Sequence, residues 1–370
     1  MRQFHLALRM TVVVFLWLTF SFSSNAAEQQ PVRFYAWGGS AEVNAYIEWA
    51  STELAAEHGI ALEHVRVADI SEAVTLLLAA RPDEPVAIDL LWINGENFAA
   101  LKQANRLLGE LPRQVPNAVN LREDLNWQND FGTPVDGYEL PWGIAQLQLI
   151  VRSSRLETGQ TILAPSQLLA LAQQTPGRFS YPKPPSFHGT SWLKALAFQL
   201  LEQPEQLLEP APQHAAEVLA PLWRYLDQLH PLLWRGGEEF PVTAARQRQL
   251  YNQGVVDNSV TFNPNEVAAL QQQLKLAPDA VSVSLGSRAL TNFHYLAVPV
   301  ASQRQQAALQ VIQFFLSAAA QQRKADPSGW GDPSVVRIDE SQARLFPSHP
   351  EPHVSWNHAL EQGWLARYQR

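Results

Sequence analysis

Residues 87–98 read Ala-Ile-Asp-Leu-Leu-Trp-Ile-Asn-Gly-Glu-Asn-Phe, and this segment decides the fold class of the chain. Its apolar residues, from Ile88 to Ile93, are nearly continuous and do not alternate. That pattern is typical of a strand whose two faces are both covered by helices. The run stops at Asn94 and Gly95, and residues 96–107 have the pattern of a helix. The segment therefore predicts a strand–turn–helix unit of an α/β protein.

The turn of this unit carries polar side chains. Ligands of open α/β sheets bind outside the carboxyl ends of the strands, so Asn94, Glu96 and Asn97 are the first candidates for ligand contact. The alternative is that Asn94 or Asn97 caps the helix and that Gly95 serves the turn. The segment alone leaves both interpretations open.

The same strand–turn–helix arrangement is predicted near the start of the chain, after the N-terminal apolar stretch. Residues 32–37 are a predicted strand that ends at Trp37, and Gly38, Gly39 and Ser40 lead into a helix that extends to Gly59. Ser40 is a predicted N-cap. The backbone N–H groups of such a turn can hold an anion or a polar ligand atom, so all four residues are candidates for ligand contact, although a plain structural turn is the alternative.

Strands and helices continue to alternate along the chain. A strand at 145–151 is predicted to leave the first lobe, and one at 292–298 to return. The other predicted elements are strands at 61–67, 179–182 and 255–262 and helices at 70–81, 165–174, 189–200, 215–229, 242–253 and 305–320. Polar or aromatic residues at the ends of these elements are further candidates for ligand contact: Tyr181, Thr190, Ser191, Ser259 and Asn263.

The composition narrows the class of protein. Hydrophobic residues make up 46% of the 370 residues and charged residues 17%, which indicates a globular chain long enough for two lobes. The formal net charge is -8 and there is no basic block, which argues against nucleic acid and anionic membranes as partners. The chain has twelve Trp residues, a high number for its length. Such large aromatic side chains suit stacking sites for ligands as well as a hydrophobic core.

The N-terminus has the features of a signal peptide. Arg2 and Arg9 precede an apolar stretch at 10–22, and small residues allow cleavage after Ala26 or Ala27. The apolar stretch is shorter than the roughly 20 residues of a membrane anchor. The chain has no Cys, hence no disulfides and no lipid-modified Cys. We expect a mature protein in the periplasm.

Catalytic motifs are missing from the sequence. There is no nucleophile elbow, P-loop or dinucleotide fingerprint. His349, Glu351 and His353 alternate, but Pro350 and Pro352 exclude helical metal ligation there. We therefore predict no catalytic residue, no metal and no cofactor, and a binding protein rather than an enzyme. A carboxylate-dependent hydrolase and a structural or chaperone-like module are the alternatives.

Motifs spread over nearly the whole mature chain resemble one family. They are residues 34–39 (Phe-Tyr-Ala-Trp-Gly-Gly), 89–98 (Asp-Leu-Leu-Trp-Ile-Asn-Gly-Glu-Asn-Phe), 141–143 (Pro-Trp-Gly), 262–266 (Phe-Asn-Pro-Asn-Glu), 294–295 (His-Tyr) and 330–333 (Trp-Gly-Asp-Pro). The family is that of the YnjB-type solute-binding components of ABC importers, which are type II periplasmic binding proteins. The resemblance implies a monomer that closes on a small-molecule ligand and docks on a membrane permease.

The resemblance also implies a domain organisation. Two α/β lobes, with mixed sheets flanked by helices, enclose a ligand cleft and are joined by crossing segments near 143–152 and 291–298. We expect a signal peptide at 1–27, the first lobe at 28–145 with 297–325, and the second lobe at 146–296. Residues 326–370 would be a C-terminal helical extension packed on the lobes.

The family resemblance indicates the ligand less directly than it indicates the fold. Relatives in the wider group bind thiamine, ferric iron, polyamines or inorganic anions, and the absence of a Tyr-Tyr pair argues against iron. We expect a small, flat cation or zwitterion similar to thiamine, whose charge Glu96, Asp257 and Glu266 would offset. An anion held by backbone N–H groups after Gly38, Gly95 and Gly189 is the alternative.

Aromatic side chains complete the predicted site. They would stack on the cation, or alternatively serve only as core: Trp37, Trp142, Tyr181 and Tyr295. The full predicted set of ligand-binding residues is Trp37, Gly38, Gly39, Ser40, Asn94, Glu96, Asn97, Trp142, Gln146, Tyr181, Thr190, Ser191, Ser259, Asn263 and Tyr295.

Overall fold

The strands form two main sheets. The computed structural model describes residues 30–67, 69–81, 84–338 and 345–369, and the predicted signal peptide lies outside them. The strands of the described residues are β1 (Val32–Trp37), β2 (Leu62–Val67), β3 (Leu90–Ile93), β4 (Asn129–Asp130), β5 (Thr133–Pro134), β6 (Leu140–Gln146), β7 (Gln148–Arg152), β8 (Ile162–Leu163), β9 (Asn258–Thr261), β10 (Ala280–Leu285), β11 (Ala289–Ala297) and β12 (Ser348–His349).

Helices cover both sheets. Within the described residues they are α1 (Ala41–His58), α2 (Ser71–Ala79), α3 (Gly95–Gln103), α4 (Leu111–Gln114), α5 (Pro165–Gln174), α6 (Phe187–Leu200), α7 (Ala215–Val218), α8 (Ala220–Leu229), α9 (Ala244–Asn252), α10 (Glu266–Gln272), α11 (Gln305–Phe315), α12 (Ala318–Ala325) and α13 (Trp356–Tyr368). None of these helices combines the length and the apolar character needed to cross a membrane.

The first lobe is built on a mixed sheet in the order β12-β11-β3-β1-β2, with β6 beside β11. β1 is parallel to β2 and β3, whereas β11 is antiparallel to β3 and β6. The predicted strand at the start of the 87–98 segment is confirmed as β3, which lies between β1 and β11. Its Leu90, Leu91 and Ile93 are buried, as expected for a strand covered on both faces.

The second lobe is built on a smaller mixed sheet in the order β8-β10-β7-β9. β7 is antiparallel to β9 and β10, and β8 is parallel to β10. This lobe has a separate apolar core, which includes Leu149, Trp192 and Leu226. Helix α13 belongs to that core because Trp356 and Trp364 are buried in it. The structure therefore confirms the mixed α/β prediction.

One buried amide joins the points where the chain passes between the sheets. β6 ends at Gln146 in the first sheet and β7 starts at Gln148 in the second, while the return lies between β10 and β11. The Gln146 amide nitrogen donates to Thr291 Oγ1 and to the Phe346 carbonyl, both at 3.0 Å. The two strands of the crossing and the C-terminal segment are thereby held together.

Several predicted elements have different bounds. The predicted strand at 145–151 is the junction of β6 and β7, and the return strand β11 begins at Ala289, before the predicted residue 292. The predicted helix at 305–320 is two helices, because the Ser317 hydroxyl accepts a hydrogen bond from the Ala320 N–H at 3.2 Å and starts α12. The predicted helix at 215–229 is likewise α7 and α8, with Pro221 in the first turn of α8.

The predicted strand at 179–182 is wrong. Side chains form hydrogen bonds with the backbone N–H and carbonyl groups that would otherwise pair with a neighbouring strand. The Ser180 N–H donates to Asn258 Oδ1 at 3.0 Å, and its carbonyl accepts from the amides of Gln247 and Asn258, both at 2.8 Å. The segment is consequently not part of a sheet.

Glu139, the residue immediately before β6, has a buried carboxyl group. Glu139 is fully buried, and among the described residues neither of its carboxyl oxygens has a hydrogen-bond partner. Burial, followed by the charge of Asp130, raises the pKa of Glu139 well above its usual value. The folded protein therefore retains a proton there that the unfolded chain loses near pH 4.3, roughly the ordinary pKa of a Glu side chain.

We expect Glu139→Gln to change the pH dependence of stability. Because the folded-state pKa is raised, the free energy of unfolding of the wild type should fall as pH rises above about 4.3, by up to about 1.4 kcal/mol per pH unit. The variant lacks this titration, so its stability relative to wild type should improve as the pH rises above 5, until the raised pKa of Glu139 is reached. Urea unfolding at several pH values measures the difference. Glu48→Gln, at an exposed position of α1, is the control, and a stability difference that is constant with pH would contradict the assignment.

Candidate ligand-binding site

A cavity of about 470 Å³ lies between the lobes, where strand ends of both sheets meet. The first lobe contributes the turn from β1 into α1 and parts of β6 and β11. The second lobe contributes the segment from β9 into α10. Residues 329–332 of the C-terminal segment form a further part of the wall. The cavity thus occupies the position at which open α/β sheets bind ligands.

Two tryptophans line this cavity. Trp37 is 45% exposed although it is one of the largest apolar side chains of the chain, and its ring stands edge-on to Trp92 at 6.5 Å. Trp330 is partly buried and packs on Trp92 and Trp142, with centroid distances of 5.7 and 5.3 Å. The indole of Trp37 therefore offers an open aromatic surface to a ligand.

The N-terminus of α1 carries a carboxylate at the edge of the cavity. Ser40 is the N-cap, as predicted: its hydroxyl accepts from the Val43 N–H at 3.3 Å. The same hydroxyl donates to Glu42 Oε2 at 2.6 Å. The Ser40 hydroxyl and the backbone N–H of Glu42 lower the pKa of Glu42, so this side chain is ionised at neutral pH. The positive end of the helix dipole is consequently compensated by the protein itself.

The carboxylate of Asp332 forms part of the cavity wall and is almost fully buried. It is paired with the buried Lys324, it accepts from the Ile144 N–H at 3.3 Å, and its Oδ1 lies 3.5 Å from His294 Nε2. Burial by itself would raise the pKa of Asp332, but Lys324 and His294 lower it below its usual value. The group is thus an ionised and fully partnered carboxylate.

Two asparagines of the second lobe reach across to the C-terminal segment. Asn263 Nδ2 donates to the Trp330 carbonyl at 3.3 Å, and Asn265 Nδ2 donates to the Gly331 carbonyl at 2.8 Å. Trp330 and Asp332 are attached to the first lobe by the ring contacts and hydrogen bonds described above. In this conformation the two lobes are therefore linked directly beside the cavity.

Part of the predicted site lies at the cavity. Trp37, Ser40 and Asn263 line it, and Gly38 and Gly39 form the turn between the first two. Both glycines are needed for close approach: a Cβ on Gly38 would lie 2.6 Å from Arg66 Cβ, and one on Gly39 would collide with the Trp37 indole. These five residues are the ones that the structure brings together.

Three predicted aromatic residues lie inside the cores. Trp142, Tyr181 and Tyr295 are each almost fully inaccessible. Trp142 packs behind Trp330, the Tyr181 hydroxyl is bonded to His230 at 2.7 Å, and the Tyr295 hydroxyl donates to the Trp127 carbonyl at 2.7 Å. These are the packing positions that the sequence analysis gave as the alternative, and the cavity wall does not include them.

Four predicted polar residues have protein partners. Gln146 joins the crossings between the sheets, and Ser259 Oγ accepts from Arg248 Nε at 3.2 Å. Thr190 donates to Glu361 at 2.7 Å, and Ser191 donates to the Phe187 carbonyl at 2.7 Å. All four are buried and none of them is part of the cavity wall, so their ligand contacts stay a prediction.

The turn after β3 also lies away from the cavity. Asn94 is the N-cap residue of α3 without a side-chain capping bond, and Glu96 is exposed. The Gly95 N–H is taken by Asp130, and its φ of 59° explains the glycine. The ligand contacts assigned to Asn94, Glu96 and Asn97 stay a prediction.

Sequence reasoning missed part of the cavity wall. Trp330, Asp332, His294 and Glu42 line the cavity but were not in the predicted set. The first three stand in motifs that carry the family resemblance, and that signal could have marked them. Asp257, by contrast, was expected to face a cation but is buried among Arg152, Arg155 and Arg178.

Comparison with known proteins identifies the family. The family model of the bacterial extracellular solute-binding proteins matches residues 49–337. Protein YnjB of Escherichia coli (strain K12) is 42% identical over 364 residues, which cover 93% of this chain and 92% of that protein.

Solved structures share the fold at low sequence identity. A putative extracellular solute-binding protein from Bordetella parapertussis has a TM-score of 0.71 at 12% identity, with 92% of this chain and 99% of that one covered. The spermidine/putrescine ABC transporter substrate-binding protein PotD from Streptococcus pneumoniae has a TM-score of 0.62 at 15% identity, covering 91% and 98%. Iron-bound HitA from Pseudomonas aeruginosa has a TM-score of 0.62 at 14% identity, covering 90% and 98%. The chain therefore belongs to the bacterial extracellular solute-binding proteins and has the two-lobed type II periplasmic binding protein fold, which confirms the resemblance that its motifs indicated.

Proposed function

We propose that this protein, after cleavage of its signal peptide, captures a small solute in the periplasm and delivers it to the permease of an ABC importer. It binds the solute without chemical turnover. Membership of the family and the cavity between the lobes support the transport function. The half-exposed Trp37, on the same cavity wall as the ionised Glu42, is the observation that carries the choice of ligand.

The proposed ligand is a small, flat cation or zwitterion similar to thiamine. Aromatic rings of Trp37 and Trp330 line the cavity together with the carboxylates of Glu42 and Glu266 and with Lys275, while the Asp332 carboxylate of the wall is already partnered by Lys324. A cation over an aromatic face gains roughly 0.5–2 kcal/mol, and nearby carboxylates add Coulomb attraction. The aromatic rings and the carboxylates of the cavity therefore favour the same class of ligand.

An inorganic anion is the second candidate, and the hydrogen bonds of the turns disfavour it. One backbone N–H group at each of the three turns already has a protein acceptor: Ser40 for Val43, Asp130 for Gly95 and Ser186 for Gly189. Glu42 would in addition repel an anion at the start of α1. An anion at any of these three N–H groups would have to displace the protein acceptor.

Calorimetric titration with thiamine, putrescine and sulfate tests the ligand class. We expect at least one of the two cations to bind and sulfate to fail. Trp37→Leu should weaken cation binding about tenfold, a loss of about 1.4 kcal/mol, because the exposed indole surface is removed. Glu42→Gln should weaken it three- to tenfold.

Glu96→Gln is the matched control, because Glu96 is an exposed carboxylate outside the cavity wall. Cation binding that falls with Glu96→Gln but not with Glu42→Gln would move the site to the turn after β3. Tight sulfate binding that survives Glu42→Gln would contradict the cation assignment. Conversion of a titrated compound to product, abolished by changing one carboxylate, would indicate the hydrolase alternative.

The lobes are proposed to close on the ligand by bending at the crossings. We retain residues 28–145 with 297–325 as the first lobe, 146–296 as the second and 326–370 as the extension, as a division along the chain in which β11 and β12 pair in the sheet of the first lobe and α13 packs on the second. The crossing at Gln146–Gln148 lies at the first of these boundaries, and the buried amide of Gln146 supports a hinge there. The hydrogen bond from Asn265 to Gly331 would then stabilise the closed form.

Small-angle scattering tests the closing motion. In the absence of ligand, Asn265→Ala should have a larger radius of gyration than wild type, because a link between the lobes is lost at a cost of about 1 kcal/mol. Asn252→Ala is the control, since the Asn252 amide bonds the Lys275 carbonyl within the second lobe. Equal radii of gyration for Asn265→Ala and wild type would contradict the proposed role of the Asn265 hydrogen bond in stabilising the closed form.

A further inference from the structure

A smaller cavity of about 280 Å³ adjoins the main one on the second lobe. Thr261 and Glu266 line both cavities, so the two share a wall made by these side chains. The smaller cavity is further lined by Arg248, by His188 and by the backbone region of α9 and β9. A ligand that passes Glu266 would reach the guanidinium of Arg248.

The guanidinium of Arg248 is held in place by the protein. Nε donates to Ser259 Oγ at 3.2 Å, Nη2 donates to the Val260 carbonyl at 3.3 Å, and Nη1 donates to Glu266 Oε1 at 2.9 Å. These three bonds use three of the five N–H donors of the group. A planar, oriented guanidinium is the side chain best suited to bind a carboxylate or a phosphate through two hydrogen bonds.

The ion pair between Arg248 and Glu266 is open to exchange. The Arg248 side chain is 14% exposed and that of Glu266 is 31% exposed, so the pair is partly solvated. An oxyanion that enters the smaller cavity can compete with the Glu266 carboxylate for the guanidinium. Glu266 would then be available to a positive charge in the main cavity, whose wall it also forms.

His188 adds a further polar group to the smaller cavity. Its ring packs beside Phe187 and Phe262, at centroid distances of 5.6 and 5.5 Å. Burial lowers the pKa of His188, Glu266 raises it and Arg248 lowers it, with burial the largest of the three effects. A neutral imidazole has one N–H group that can donate to an oxyanion beside Arg248.

The two cavities share Glu266 and differ in their other charged residues. Apart from Glu266, the larger cavity is lined by Glu42, Asp332 and Lys275, whereas the smaller one is lined by Arg248. We propose that the smaller cavity is a subsite for the acidic group, a carboxylate or a phosphate, of a zwitterionic ligand whose cationic part lies in the larger cavity. Glu266 exchanges its partner from Arg248 to that cation. The cationic half of this inference rests on the proposed function, and the oxyanion subsite stands on the geometry of Arg248.

Inorganic phosphate tests the subsite by itself. It is titrated into the protein while the Nε–Hε resonance of Arg248 is followed by NMR, and Arg248→Lys assigns that resonance by its loss. We expect a saturable shift of this resonance, which Arg246→Lys, at an exposed position of α9, should leave intact. Glu266→Gln should tighten phosphate binding at least threefold, because it removes the competing carboxylate. An unchanged Arg248 resonance, or weaker binding in Glu266→Gln, would overturn the inference.

Matched ligand pairs test how the subsite works with the cation site. The pairs are thiamine with thiamine monophosphate, and putrescine with 4-aminobutyrate. In each pair that binds, the acidic member should bind the wild type at least tenfold more tightly than its partner, and Arg248→Gln should remove this difference while leaving the affinity for the other member within about twofold. Arg248→Lys should keep part of the difference.

The two experiments separate two kinds of failure. If both members of a pair bind the wild type equally, or Arg248→Gln weakens both equally, the zwitterion inference is overturned. If phosphate binds at Arg248 but no member of either pair binds, the proposed cation site fails, whereas the oxyanion subsite is supported.

Discussion

The buried carboxylate of Asp332 is the interaction on which the arrangement of the cavity depends. An unpaired charge in the protein interior is costly, and Asp332 is tolerated because Lys324, the Ile144 N–H and His294 surround it. Lys324 is itself fully buried and donates in addition to the Pro333 carbonyl at 2.8 Å. Each of the two charges is therefore acceptable only in the presence of the other. The pair fixes the C-terminal segment against β6.

The position of Trp330 follows from that attachment. Because Trp330 is two residues before Asp332, its ring is held against Trp142 and Trp92, and its carbonyl faces Asn263. The cavity wall, the aromatic cluster behind it and the link between the lobes thus share one anchor. Gly143 of β6 belongs to the same arrangement, since a Cβ at that position would collide with the carboxylate of Asp332. The C-terminal segment therefore completes the wall of a cavity to which the turn between β1 and α1 also contributes.

Local patterns were sufficient for much of the fold. The continuous apolar run of β3, the Ser40 cap of α1 and the Gly59 at its end are set by neighbouring residues, and the structure has them as expected. The sequence predictions failed where side chains distant in the sequence, and not neighbouring residues, bind the backbone groups. Residues 179–182 lie outside both sheets because side-chain amides from α9 and β9 form hydrogen bonds with the backbone groups of Ser180, and no local pattern contains that information.

The amino-acid sequence by itself determined the class of the protein: the α/β alternation, the two lobes, the family and the residues of the Trp37–Ser40 turn. Tertiary structure alone decided which aromatic and polar residues face the cavity. Trp37 and Trp142 both lie in strands or at their ends, yet one is 45% exposed and the other is in the core. Side chains alternate along a strand, but whether a given face is covered depends on which segment packs there. Here the covering segment is the one that Asp332 and Lys324 hold, nearly 200 residues beyond Trp142, and only the folded chain brings it to that place.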